Sequence, residues 1–188
     1  MKEFNRFLLL GFVLLLIAGC SKMEIEPDPL YSGDHTALKG AKVELVPFKG
    51  AFDTWGVSEG YIFHPDGYPI GVHVVVAGSG NSSHLGKTTM IVDQQWYFPA
   101  TSGPLTGTSV ITLTAANGDE LLINFTGEMA GNEDFTYIEI RGSGSINGGS
   151  GRFTDAEGTI ELVATYEKFA PGVIDGEGET FITGTIKY

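Results

Sequence analysis

From Lys42 onward the chain is a run of short stretches in which apolar and polar residues alternate, each interrupted by glycine, asparagine or proline. No stretch after Cys20 carries apolar residues at the spacing of a three-turn helix. Alternation of period two places successive side chains on opposite faces of a strand, so the pattern dictates an all-β fold. Glycine accounts for 27 of 188 residues, roughly twice the usual share. Helices tolerate that poorly, whereas tight hairpins use it freely.

The pattern predicts seven to nine strands. Val43, Leu45 and Pro47 alternate with Glu44 and Val46 in a first strand that ends at the proline. Residues 50–68 are rich in aromatics, broken by glycines and by the turn signal Pro65-Asp66-Gly67. A buried strand is expected over 72–77, interrupted by His73, then a polar loop over 78–83 and another strand over 86–93. Trp96, Tyr97 and Phe98 cluster before a turn region between Pro99 and Pro104. The runs 109–115 and 120–126 flank Asn117-Gly118, which favours a tight hairpin with positive φ at both central residues. Leu121, Ile123 and Phe125 share one face. Ile138 and Ile140 oppose Tyr137, Glu139 and Arg141, while Ile160, Leu162, Ala164 and Tyr166 oppose Glu161, Val163 and Thr165. A last strand covers about 178–188. Spacing alone suits either a closed barrel or a β-sandwich.

The N-terminus reads as an address. Lys2 and Arg6 precede an apolar or glycine run from Phe7 to Ile17, too short for the roughly 20 apolar residues of a membrane span. It ends in Ile17-Ala18-Gly19-Cys20, and Cys20 is the one cysteine of the chain. A single cysteine excludes an internal disulfide and a cysteine-cluster metal site. The segment resembles a bacterial lipoprotein signal with its lipobox. The resemblance implies removal of residues 1–19, acylation of Cys20 and a lipid anchor in the membrane, where several acyl chains hold firmly. Ser21 takes the place where an aspartate would signal inner-membrane retention. Lys22, Glu24, Glu26 and Asp28 are similar to the surface-export signals of Bacteroidetes lipoproteins, which implies the outer membrane and exposure at the cell surface. Pro27 and Pro29 stiffen a linker over 20–39, leaving 40–188 as the folded domain.

Within that domain, Gly142-Ser143-Gly144-Ser145-Ile146-Asn147-Gly148-Gly149-Ser150-Gly151-Arg152-Phe153 leads into Thr154-Asp155-Ala156-Glu157-Gly158. This resembles the strand, double-glycine bend and Gly-Arg-Phe signature of the allene oxide cyclase-like and dirigent-like barrels. Gly80 to Gly86 is similar to an element of small secreted bacterial relatives of that group. The resemblance implies one antiparallel barrel of about eight strands, calycin-like in form. The plant cyclase guides ring closure of a fatty-acid epoxide, and dirigent proteins steer phenoxy radicals. The matched stretches are structural, so no catalytic residue is carried over. Read physically, Gly148 and Gly149 permit the bend, Gly151 continues it, Phe153 turns inward to plug the core, and Arg152 caps the rim or pairs with Asp155.

The remaining polar residues define few chemistries. Net charge is −12, which repels a nucleic-acid backbone. His35 and His64 have no metal-ligand spacing, and the acidic pairs at 119–120 and 133–134 lack the twelve-residue calcium loop. No cofactor is implied. His84 follows Ser82-Ser83 but shapes a turn more readily than a triad. Candidate pocket residues are His73, Trp96, Glu139 and Arg141, and Trp55 is a candidate for stacking on a ligand. Two functions follow: a non-enzymatic envelope lipoprotein that binds a small lipophilic ligand or a protein partner, and an isomerase or cyclase acting on a lipophilic substrate in a barrel cavity. The lipobox yields a direct test. In a bacterium that processes lipoproteins, the full chain is expected to incorporate labelled palmitate and enter the detergent phase, and Cys20→Ala to lose both.

Overall fold

A computed structural model describes residues 44–133, 136–168 and 175–188. Cys20, the leader and the linker lie outside them. Eight strands follow one another: β1 Val46–Phe63, β2 Pro69–Ser82, β3 Gly86–Tyr97, β4 Leu105–Ala115, β5 Glu120–Gly131, β6 Tyr137–Gly149, β7 Glu157–Lys168 and β8 Gly176–Lys187. Each pairs antiparallel with the next, and β8 returns to β1 with Val46 opposite Ile186 and Gly56 opposite Gly176. The sheet is therefore a closed up-and-down barrel, not a sandwich; β1 is paired on both sides from Gly50 to Gly56, its start from Val46 pairs with β8, and its remainder to Phe63 pairs with β2. A single 3-10 turn, Gly151–Phe153, lies between β6 and β7.

Alternation sets inside from outside. Phe48, Met90, Trp96, Ile111, Leu113, Leu121, Ile123, Ile160, Ile182 and Ile186 are fully buried in the barrel. Asp53, Asp93, Glu139, Arg141, Glu161 and Glu179 belong to the outward-facing positions of the same strands. Polar outside and apolar inside is the reverse of a membrane-spanning barrel.

The strands are longer than the sequence pattern indicates. β1 starts at Val46 and runs through Pro47, which the sequence reading places at a strand end, and through Gly50, Gly56 and Gly60. Pro47 points outward at the start of the strand, opposite Thr185. Residues 78–82, expected as loop, are the end of β2, and the turn contracts to Ser83-His84-Leu85. In β2 a Cβ on Gly78 would lie 2.7 Å from the Thr54 side chain and on Gly80 1.9 Å from the Ala51 carbonyl, and other strand glycines sit under interior rings. A Cβ on Gly50 would lie 2.7 Å from the Phe52 ring, on Gly107 2.5 Å from Trp96, and on Gly127 or Gly142 2.6 and 2.7 Å from Phe125. Each ring occupies the space a neighbouring side chain would need, so small and large residues interlock to fill the cylinder. The Asn117-Gly118 hairpin lies where expected, but only Gly118 has positive φ, at 89°. The Gly118 amide donates to the Ala115 carbonyl and the Ala115 amide to that of Asp119, which makes a three-residue loop closed by a glycine bulge in place of the two-residue turn.

One end of the barrel, formed by the turns after β2, β4 and β6, is sealed. Phe153 is fully buried, and Phe48, Leu85 and Ala156 complete the plug. Gly151 adopts φ 58°, and a Cβ there would lie 1.9 Å from the Asp119 carboxylate. That contact decides the partner of Arg152. Its Nε lies 3.5 Å from Asp119 Oδ2 and its guanidinium 4.8 Å over the Phe153 ring, while Asp155 stays exposed and unpaired with it. The guanidinium also donates to the His84 carbonyl. His84 itself has φ 69°, its Nε2 donates to the Pro47 carbonyl at 2.8 Å, and its Nδ1 accepts from the Tyr188 hydroxyl at 3.1 Å. Gly149 passes close to β5, since a Cβ would meet the Glu120 carbonyl at 1.9 Å.

If ring and glycine interlock, Gly107→Ala drives its new methyl against the Trp96 indole and the Gln95 carbonyl of β3. Overpacking of this kind costs about 1–3 kcal/mol. Urea denaturation of the full chain should show a lower midpoint for Gly107→Ala with an unchanged slope.

Candidate functional site

The four candidate pocket residues do not converge. Trp96 lies inside the barrel, fully buried, with no protein partner for its Nε1. His73 points outward from β2, opposite in direction to buried Val72 and Val74, and its Nε2 donates to Asp93 Oδ1 at 2.7 Å. Glu139 and Arg141 point outward from β6 and pair with each other two residues apart. The hydrogen bond from Arg141 holds the Glu139 carboxyl below its ordinary pKa, and the same bond raises that of Arg141. They form a rung on the outer wall.

The barrel interior offers little room. Two spaces of about 20 Å³ each lie within it, one bounded by Gln94, Ser109, Tyr166 and Thr180 among apolar neighbours, the other by Gly56, Val74, Gln94 and Met129. Each is the size of a single water. Polar side chains nonetheless gather at this level. The Thr54 hydroxyl donates to the Gly178 carbonyl at 3.1 Å, and the Thr54, Tyr166 and Thr180 hydroxyls are linked, with Thr180 3.4 Å from each of the other two.

A roomier feature lies on the outer wall. A groove of about 740 Å³ runs over β1, β8, β7 and the start of β6, lined by Asp53, Trp55, Tyr137, Glu167, Glu177 and Glu179 among others. Strand register assembles it: Asp53 faces Glu179, Trp55 faces Glu177, Glu177 faces Glu167, and Glu167 faces Tyr137. Trp55 is 49% exposed and Tyr137 41% exposed, so both rings present apolar faces to solvent. Like charges directly opposite in neighbouring strands destabilise a sheet, and Glu167 against Glu177 is such a pair. Among the described residues no ion pair neutralises these four carboxylates, and no group of three or more is placed to hold a metal ion. Trp55 was visible in the sequence as a stacking candidate. The acids were not, because the β7–β8 register sets Glu167 against Glu177 and only the β1–β8 closure adds Asp53 and Trp55 to them.

Tyr166 supplies a pH signature. Burial raises its phenol above the ordinary value of 10.0, and the hydrogen bonds from Thr180 and Thr54 offset only part of that. An acid with a raised folded pKa stabilises fully below its unfolded value and loses that contribution as pH rises through the folded one. Thermal melts of the full chain between pH 8 and 11 should therefore fall more steeply above pH 10 for the natural protein than for Tyr166→Phe. Against known proteins, the chain matches no family model, no curated protein and no solved structure.

Proposed function

We propose that this chain is a lipid-anchored protein of the bacterial outer membrane whose barrel binds a partner on its outer wall and carries out no chemistry. One observation carries the reading: the interior is filled by its own side chains, while the groove of Trp55, Tyr137 and four carboxylates stands open. The isomerase or cyclase reading requires an enclosed cavity sized for a lipophilic substrate, and the interior spaces of about 20 Å³ among the described residues are far smaller than that. Of the two ligand classes consistent with a binding role, the groove favours a protein partner. Its carboxylates attract positive charge, and the Trp55 and Tyr137 faces add cation–π and apolar contact for a lysine or arginine side chain.

The anchor belongs to the same proposal and rests on the Ile17-Ala18-Gly19-Cys20 run. We read the barrel as akin to the allene oxide cyclase-like and dirigent-like group. What supports that kinship is the eight-strand closure together with the physical part played by the Gly148–Phe153 bend, whose glycines admit Asp119 and β5 and whose phenylalanine plugs one end.

The test uses a synthetic oligolysine peptide and its acetylated, uncharged counterpart. The full chain should bind the first, more weakly as salt rises, and not the second. Cation–π contacts contribute about 0.5–2 kcal/mol, so Trp55→Ala should weaken binding about 2- to 30-fold. Glu177→Gln with Glu179→Gln should reduce both the affinity and its salt dependence. Peptide binding that ignores all three substitutions would overturn the groove as the docking surface.

A further inference from the structure

The barrel core is apolar along most of its length, yet besides the Ser82–Thr88 hydroxyl pair near the sealed end one level gathers several polar side chains. Thr54 from β1, Gln94 from β3, Ser109 from β4, Tyr166 from β7 and Thr180 from β8 are all at least nine-tenths buried. Two of them are close neighbours: Gln94 lies directly opposite Ser109 in the β3–β4 register, on the inner face of both strands. The Ser109 hydroxyl has no hydrogen-bond partner in the protein. A buried hydroxyl left without a partner is costly, and native proteins satisfy the great majority of such groups with protein or with ordered water.

Ser109 also borders a space. The cavity of about 20 Å³ that it lines is bounded on its other polar sides by Gln94, Tyr166 and Thr180, with Val92, Phe125, Ile140, Leu162 and Ala164 completing the wall. A buried water needs about 10–15 Å³ of such space and two to four polar neighbours. The cavity meets both conditions, whereas it is too small for any organic ligand. The packing explains why no side chain fills it. Phe125 already takes the room above Gly127 and Gly142, and Ala164 and Thr180 are too short to reach across.

We propose that this cavity is a hydration site: one ordered water, held inside the barrel wall, accepts or donates hydrogen bonds at Ser109 Oγ and is steadied by Gln94, Tyr166 and Thr180. The water completes the polar level and lets the interior keep hydroxyl and amide groups that an apolar core would exclude. Tyr166 borders both this cavity and the outer groove, whereas Ser109 and Gln94 border the cavity and not the groove, so Ser109 is the side chain that tests the site.

A crystal structure of the full chain at a resolution that shows waters tests it directly. The expected result is one spherical density within hydrogen-bond distance of Ser109 Oγ, lost in Ser109→Val, whose extra methyl fills the space. Should the valine variant fail to fold, Ser109→Ala should keep the density but shift it toward Gln94 and Tyr166. An empty cavity, a Ser109 hydroxyl bonded instead to a backbone carbonyl, or elongated density from a co-purified molecule would each overturn the proposal.

Discussion

Closing eight strands into a cylinder leaves an interior only wide enough for side chains, and every other feature of this domain follows from how that interior is filled. Aliphatic side chains make up most of the buried core, and aromatic rings interlock with the wall around them. Phe52, Trp96 and Phe125 each lie against a glycine whose missing Cβ is the space they occupy. The arrangement is reciprocal: without the rings the glycines would leave voids, and without the glycines the rings would collide with the wall. It also accounts for a glycine content that composition alone would associate with loops, since several of these residues sit in the middle of strands and fix the curvature there.

That reciprocity explains what the sequence could and could not convey. The faces of β5, β6 and β7 were legible, because Leu121, Ile123, Phe125, Ile138, Ile140, Ile160, Leu162, Ala164 and Tyr166 alternate without interruption and are all buried. The lengths of β1 and β2 were not. Gly50, Gly78 and Gly80 look like breaks locally, but each gives room within the β1–β2 pair to a close neighbour: the Phe52 ring, the Thr54 side chain and the Ala51 carbonyl. The Asn117-Gly118 hairpin shows the same division at small scale. Its position is a local property, whereas its loop length depends on the register of the flanking strands. Arg152 was expected to choose between a rim position and Asp155, and it took Asp119, which only the meeting of two turns brings within reach.

The candidate site divides along the same line. His73, Glu139 and Arg141 are chemically versatile residue types, but strand parity turns all three outward, where each is already engaged by a neighbour. Trp96 goes inward and serves packing. The groove, by contrast, draws on Asp53 and Glu179, which lie at opposite ends of the domain sequence and become neighbours through the last strand pairing of the barrel. Charge of one sign collected on one part of the wall opposes folding and favours association with something of the other sign, which is the physical content of the binding role assigned to it.

The pairing of Val46 with Ile186 has a bearing on how the domain tolerates rearrangement. Because every strand is bonded to its sequence neighbour and the first is bonded to the last, the order of strands around the ring has no privileged starting point. A short peptide joining the two ends, with the chain reopened in the connection between Tyr97 and Leu105, would preserve all eight ladders. Such a circular permutant would place the attachment point at the opposite rim, so the same wall could be displayed upside down without altering a single interior contact.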